Sequence, residues 1–458
     1  MTELADAPES VLNRFPLSNT QQWFCAGDRG DEDGNFGPLS TSEIFVRISG
    51  RVDASALQGA LNDIVRRHEI LRTIVVRDAR PRYQQVYPPA PATLRVHDLP
   101  LVSEESRDAC VQEIIDRAVR RGMDVRSLPL LRAELNRFDD QDSLLVVSSH
   151  HTAADWWSMN VLVRDLAAFY KARATGSPVD LPEAPQYRDF VAREQARSAG
   201  PEAEVELRYW REKLSGARIF TLPTDRPVCG THSRPYSAYH FSVDPEVTER
   251  IVALSSTIRS SVFMILLAAF NVLTHEMTGT SDPVINSFSS GRNDPRTHDM
   301  VGTIVNALPL RTNLDSCVTF RDVVARTRRT CLEAYTYEIP AEYIVREAPN
   351  LMESANDPMR CNFFAFSMLQ SHVDDAELEF SGRSHQVRKA TVQEEEVSVE
   401  LGDGAIWDMD MLPSGELGGT VRFNLDEFDK DTVIRWVSAY QRILRGGALD
   451  LDGEWKKL

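Results

Sequence analysis

The sequence predicts an α/β chain of two lobes. Three observations carry that expectation. Strand-like and helix-like periodicities alternate in both halves. A stretch rich in proline, glycine and small polar residues, RATGSPVDLPEAPQ at Arg173–Gln186, separates the halves and reads as a linker. The length of 458 residues exceeds one ordinary domain of about 150 and is enough to bury a sizeable core.

In chain order, TSEIFVRISGRV alternates apolar and polar residues, as a half-buried strand does. In DASALQGALNDIVRRHEILRTIVV, Asp53 suits a helix cap, and Leu57, Ala60, Leu61, Ile64 and Val65 recur at helical spacing. The segment then becomes strand-like at LRTIVV. DSLLVVSSHH reads as a buried strand running into two histidines, and DWWSMNVLVRDLAAFYKA as the helix after them. Beyond the linker, SSVFMILLAAFNVLTHEMTG is a helix ending at a glycine. DPVINSFSSGR, NALPLRTNL and RCNFFAFSML read as strands.

Composition narrows the function. Hydrophobic residues are 42% and charged residues 26%, as in folded globular proteins. A net charge of −17 argues against a nucleic-acid binder and against docking on anionic membrane. The six cysteines, Cys25, Cys110, Cys229, Cys317, Cys331 and Cys361, form no CxxC pair, and reduced thiols are expected. The N-terminus lacks a basic-then-apolar signal pattern. The longest apolar run, Val262–Phe270, is far short of the about 20 residues that span a bilayer. A cytoplasmic protein is expected. In the loop GDRGDEDGNFGP, placing Asp31, Asp33 and Gly34 at calcium-loop positions puts Arg29 at the first position and Ser40 at the last, which no EF-hand tolerates. Glu394, Glu395 and Glu396 read as a solvated face.

The pair His150 and His151 admits three readings. Adjacent strand residues point to opposite faces, so the two rarely grip one metal, and neither HExxH nor a nearby cysteine completes a site. No metal is expected. A packed pair satisfied by backbone is the bland reading. The third is general-base catalysis, for which a neutral imidazole with a pKa near 6.5 is suited. No GxSxG elbow supplies a serine nucleophile, so a histidine base would act on the substrate's own nucleophile.

The motifs extend further. HHTAADW at His150–Trp156 resembles the HHxxxDG motif of condensation domains of nonribosomal peptide synthesis, in the chloramphenicol-acetyltransferase-like superfamily. PLSNTQQWF (Pro16–Phe24) looks like the family's opening motif and RHEILRT (Arg67–Thr73) like its second. LPLLRAEL (Leu128–Leu135), YRDFVARE (Tyr187–Glu194), YWREKLSG (Tyr209–Gly216) and SSGRNDPRTHDMVGTIVNALPLR (Ser289–Arg311) follow in family order. YEIPAEYIV (Tyr337–Val345), RCNFFAFSMLQ (Arg360–Gln370) and GELGGTVRFNLDEFDKDTV (Gly415–Val433) complete the series.

The resemblance implies two acetyltransferase-like lobes forming a V, with the active site in a tunnel between them. It implies a first lobe at 1–178 carrying HHxxxD and a second at 179–458, with a floor loop and a late hairpin crossing to the first. The donor is an acyl or aminoacyl thioester on the phosphopantetheine arm of a carrier protein, and the enzyme binds no cofactor itself. The acceptor is a small amine or alcohol. His151 matches the catalytic histidine, His150 the structural one, and Asp155 the aspartate whose partner is an arginine, here Arg292. N–H groups of the strand-to-helix turn are candidates to face an oxyanion.

The motif's glycine is Trp156 here, a tunnel-wall candidate. It either reshapes the acceptor pocket or blocks catalysis, and the retained His151 and Asp155 favour activity. No carrier or adenylation domain follows EWKKL, so a free-standing enzyme is expected, of the kind that forms esters in enediyne pathways. Two alternatives remain: an acyltransferase using coenzyme A thioesters, and a non-catalytic recruitment domain. An epimerising relative would carry an EGHGRE-type stretch, which is absent. Arg117, Arg120 and Arg121 form a local basic cluster, a carrier contact or a solvated helix face.

Overall fold

The computed structural model describes residues 13–32, 34–100, 103–198, 200–227, 236–351, 364–369, 378–380, 382–387, 395–397, 404–411, 415 and 417–458. Asp33, Cys229, Cys361 and Glu394 lie outside them, as do the side chains of Glu395 and Glu396. The chain forms two compact units. The first comprises Met1–Ala196, Asp294–Ile304 and His372–Val387, and the second the remainder.

In the first unit a five-stranded sheet runs in the order Arg383–Val387, Thr41–Ser49, Asp142–His150, Leu131–Asp139, Thr93–Asp98. Only the last pair is parallel. Alternation sends Ile44, Val46 and Ile48 to one face, where helices Ala54–Arg67 and Trp156–Thr175 supply Leu57, Leu61, Val161 and Leu162 to the same core. Asp53 caps the first of these helices, accepting from Ser55 N and Ala56 N. Glu69–Arg72 forms a short 3-10 turn, so the strand expected at LRTIVV begins at Thr73. The opposite sheet face packs Phe45, Val146 and Leu144 on Val111, Ile114 and Ile115 of the helix Glu104–Val119. Near its end Arg121 pairs with Glu134, so part of the basic cluster is tied to the sheet.

The second unit has a seven-stranded sheet ordered Asn306–Arg311, Val284–Ser289, Phe364–Leu369, Ala405–Met411, Leu417–Asn424, Tyr236–Ser242, Glu395–Val397. Its central helix, Val262–Thr278, is the apolar run of the sequence, capped by Ser261 and ended by Gly279 in the left-handed region at φ 72°. Phe270 on that helix meets Phe364, Phe366, Trp407 and Tyr440. No single helix among the described residues is long and apolar enough to cross a membrane. Cys25, Cys110, Cys317 and Cys331 are free thiols.

The sequence places a lobe boundary at 178/179, whereas the first unit extends to Ala196. The helix Tyr187–Ser198 explains the difference: Tyr187 and Val191 are buried in the first core, and Glu194 accepts from Asn19 N at 2.8 Å. The hairpin strands Ala405–Met411 and Leu417–Asn424 pair within the seven-stranded sheet. The late strand that joins the first unit's sheet is Arg383–Val387, antiparallel to Thr41–Ser49.

On the strand Thr41–Ser49, Glu43 carries a buried Oε1 with no hydrogen-bond partner among the described residues. Burial pushes its carboxyl from 4.5 to about 7, against the lowering effects of Thr41 and Arg132. The folded state therefore holds this proton after the unfolded chain has lost it. Stability falls as pH rises from 4.5 to about 7 and is level above that. Relative to wild type, Glu43→Gln is expected to gain roughly 1–3 kcal/mol across that window in denaturant titrations. A difference that stays flat with pH would remove Glu43 as the source.

Candidate active site

The strand Asp142–His150 ends at His150, which is fully buried. Its Nε2 lies 3.1 Å from Gly37 O, and its Nδ1 accepts from Thr152 N at 3.2 Å, with Thr152 Oγ1 at 2.9 Å. An Nδ1 that accepts leaves Nε2 as the N–H that donates to Gly37. Burial lowers the imidazole pKa to about 4. His150 is therefore neutral, with both nitrogens occupied by the loop around it.

His151 differs on both counts. Its backbone N donates to Ser40 O at 2.7 Å, its ring is half-buried, and Phe24 packs beside it at 5.7 Å between centroids. Nδ1 is 3.1 Å from Ala154 O, an acceptor only, so Nδ1 carries the hydrogen and Nε2 the lone pair. No described residue hydrogen-bonds Nε2. This is the tautomer a proton acceptor needs.

The turn after the histidines is tightly wound. Thr152 N donates to the His150 ring, and Ala153 N and Ala154 N donate to His150 O at 2.9 and 3.1 Å. These three N–H groups are committed, which removes them as oxyanion donors. Asp155 then caps the helix Trp156–Thr175: its Oδ1 accepts from Ser158 N at 2.8 Å and from Ser158 Oγ at 2.7 Å. Its Oδ2 accepts from Ile304 N at 3.2 Å. Arg292 is buried in the second unit, where its Nη1 donates to Ser290 O at 3.1 Å.

Trp156 is the first residue of that helix and is half-buried. Arg259 is the sole non-glycine residue with positive φ among those described, so Trp156 sits in backbone that any residue adopts. A glycine here would serve space, not backbone. Trp157 packs on His298 and donates its Nε1–H to His298 O at 2.8 Å.

Residues that the sequence quoted only within motifs hold this loop. Thr303 Oγ1 donates to His151 O, and Gly302 N donates to Ser158 Oγ at 3.0 Å. Tyr187 OH donates to Thr303 O at 2.8 Å and lies 2.7 Å from Ser18 Oγ. Arg164 reaches Asp299 at 2.6 Å and Asp165 at 2.7 Å, and Asp165 also takes His68 Nε2 at 3.1 Å. Four motifs, at Ser18, His68, Tyr187 and Gly302–Ile304, thus converge on the segment 294–304 and the histidine turn. The individual matches contained each residue, but not the convergence.

A condensation-domain family model matches residues 13–457. A linear gramicidin synthase protein of Brevibacillus parabrevis is 31% identical over 455 residues, 97% of this chain and 6% of that protein. Chondramide synthase cmdD of Chondromyces crocatus is 35% identical over 364 residues, 78% of this chain and 9% of the synthase. The chain thus spans less than a tenth of these curated relatives. Among solved structures, SgcC5 of Streptomyces globisporus, in complex with (R)-(-)-1-(2-naphthyl)-1,2-ethanediol and sucrose, is 36% identical. That alignment covers 96% of this chain and all of that one, with a TM-score of 0.87. The X-domain from teicoplanin biosynthesis is 25% identical, with a TM-score of 0.76, covering 100% of this chain and 99% of its own. The two mixed α/β units, the ordered series of motifs and the family match agree: the chain belongs to the condensation-domain family.

Proposed function

We propose that this protein is a condensation enzyme. It transfers an aminoacyl or acyl group from the phosphopantetheine thioester of a carrier protein to a small acceptor, forming an ester or amide in natural-product biosynthesis. The carrying observation is His151, with Nδ1–H held by Ala154 O and Nε2 left with its lone pair. Nε2 takes the proton of the acceptor O–H or N–H as that atom attacks the thioester carbonyl. The tetrahedral intermediate collapses, the C–S bond breaks, and the leaving thiolate takes the proton back from the imidazolium. His150 and Asp155 support the turn, and the pairing of Asp155 with Arg292 belongs to the same reading. No cofactor of the enzyme's own is required, and the work is cytoplasmic.

An ester is the favoured product. The SgcC5 structure holds a vicinal diol on an aromatic ring, and a hydroxyl nucleophile benefits most from a base. A coenzyme A donor would present the same thioester and is separated by donor form. A recruitment role draws on Trp156 and on the likeness to the X-domain.

The test is intact-mass spectrometry of a carrier loaded with aminoacyl thioester, incubated with the protein and a panel of alcohols and amines. Unloading that requires both acceptor and enzyme, with the matching ester or amide released, supports the reading. Carrier binding without unloading across diverse donors would favour recruitment.

Trp156→Gly is expected to widen acceptor range, raising kcat/KM for bulky acceptors by about tenfold, or roughly 1.4 kcal/mol. Donor use should stay within about twofold. An unchanged acceptor profile would show that the indole lines no acceptor pocket.

A further inference from the structure

Glu338 is a buried carboxyl that the chemistry above does not use. It is 9% exposed and lies in the turn after the helix Phe320–Thr336. Burying an acid is costly unless its oxygens are bonded. Here Oε2 accepts from Ser289 Oγ at 3.0 Å and Asn293 Nδ2 at 2.8 Å, and Oε1 accepts from Asn306 Nδ2 at 3.0 Å. The donors are themselves held. Asn306 Nδ2 also reaches Ile339 O at 2.9 Å, Asn306 Oδ1 accepts from Ala341 N at 3.0 Å, and Ser289 Oγ accepts from Gly291 N at 3.2 Å.

The place of these donors gives the cluster its meaning. Ser289 ends one strand, Asn306 begins the next, and the two are directly opposite in register. Between them the chain leaves the second unit after Asn293, contributes Asp294–Ile304 to the first, and returns at Val305. Glu338 therefore grips both roots of one excursion. The far end of that excursion carries Thr303, which donates to His151 O, and Ile304, whose N–H donates to Asp155. A carboxylate accepts at both oxygens, whereas a glutamine would turn an N–H toward Ser289 and Asn293 or toward Asn306.

We propose that Glu338 is a positioning residue for the histidine turn, fixing both roots of the 290–305 segment so that Thr303 and Ile304 hold His151 and Asp155 in register. Its effect on turnover rests on the reading of His151 given above; its effect on the segment does not. The test pairs Glu338→Gln with Thr303→Val, measured by hydrogen exchange and by carrier unloading. Glu338→Gln should speed amide exchange at 302–304 and 151–155 by about tenfold, leaving the strands Phe364–Leu369 and Ala405–Met411 unchanged. It should lower kcat about tenfold, with donor KM within about twofold. Thr303→Val should do the same, and the double variant should lose no more than about twofold beyond either, because both cut one path.

Faster exchange confined to 336–341, or spread evenly over the second unit, would overturn the proposal. So would losses that multiply in the double variant. If Glu338→Gln does not fold, Glu338→Asp keeps the charge, shortens the reach by one methylene, and is read by the same criteria. If the wild-type protein unloads no donor, the catalytic reading fails while the exchange pattern still decides the positioning role.

Discussion

Replacing His151 with alanine is expected to lower acceptor-dependent carrier unloading by about 10²- to 10⁴-fold, the usual contribution of a positioned general base. The fold should survive. The His151 side chain is half-buried, with one ring hydrogen bond among the described residues, to Ala154 O. The bonds that hold the turn are made by its backbone, to Ser40 O and from Thr303 Oγ1. His151→Gln separates chemistry from packing, since glutamine preserves much of the volume beside Phe24 but has no basic nitrogen. It should fall as far as alanine. Either variant retaining turnover within about tenfold of wild type would take His151 out of proton transfer and leave it a positioning group. His150→Ala is a poor probe, because both ring nitrogens of His150 hold the loop.

Gly302→Ala is expected to cost about 2–4 kcal/mol of stability in the first unit. A Cβ at Gly302, where φ is +157°, would stand 2.1 Å from Tyr187 Cδ2 and 2.6 Å from Cε2. Real atoms do not approach so closely, and the ring has little freedom to yield. Tyr187 is 2% exposed, and its hydroxyl is held by Thr303 O and Ser18 Oγ. Relief by moving the backbone instead would pull Gly302 N from Ser158 Oγ and disturb the cap at Asp155. Denaturant unfolding followed by hydrogen exchange in Leu131–Asp139 and Asp142–His150 should show the loss. A midpoint unchanged from wild type would mean that the segment 294–304 shifts freely, which would also undercut its role in holding the turn.

Part of the local structure around the histidines was legible in the order of residues. A buried strand running into paired histidines and a helix after them is a local pattern, and local patterns survive into three dimensions. The strand Asp142–His150, the helix after it and Asp53 as the cap of Ala54–Arg67 follow from periodicity and cap chemistry. The neutral state of His150 was not legible, because it depends on burial against Gly37 and Thr152. The strand Arg383–Val387 was missed, since RSHQV is short and polar and becomes a strand by pairing with Thr41–Ser49. Gly302 reads in sequence as an ordinary loop glycine, and its reason is a tyrosine ring far upstream.

The sequence alone therefore determined the family, the mixed α/β class and the candidate base, because those rest on short-range spacing and on a series of motifs in order. Tertiary structure decided the rest. It showed which nitrogen of His151 carries the lone pair, what Asp155 caps, and how far the first unit extends. It also brought Ser18, His68, Tyr187 and Gly302–Ile304 around one turn. Each of these depends on groups distant in the chain meeting at hydrogen-bond distance in a buried place, and periodicity carries no information about such meetings.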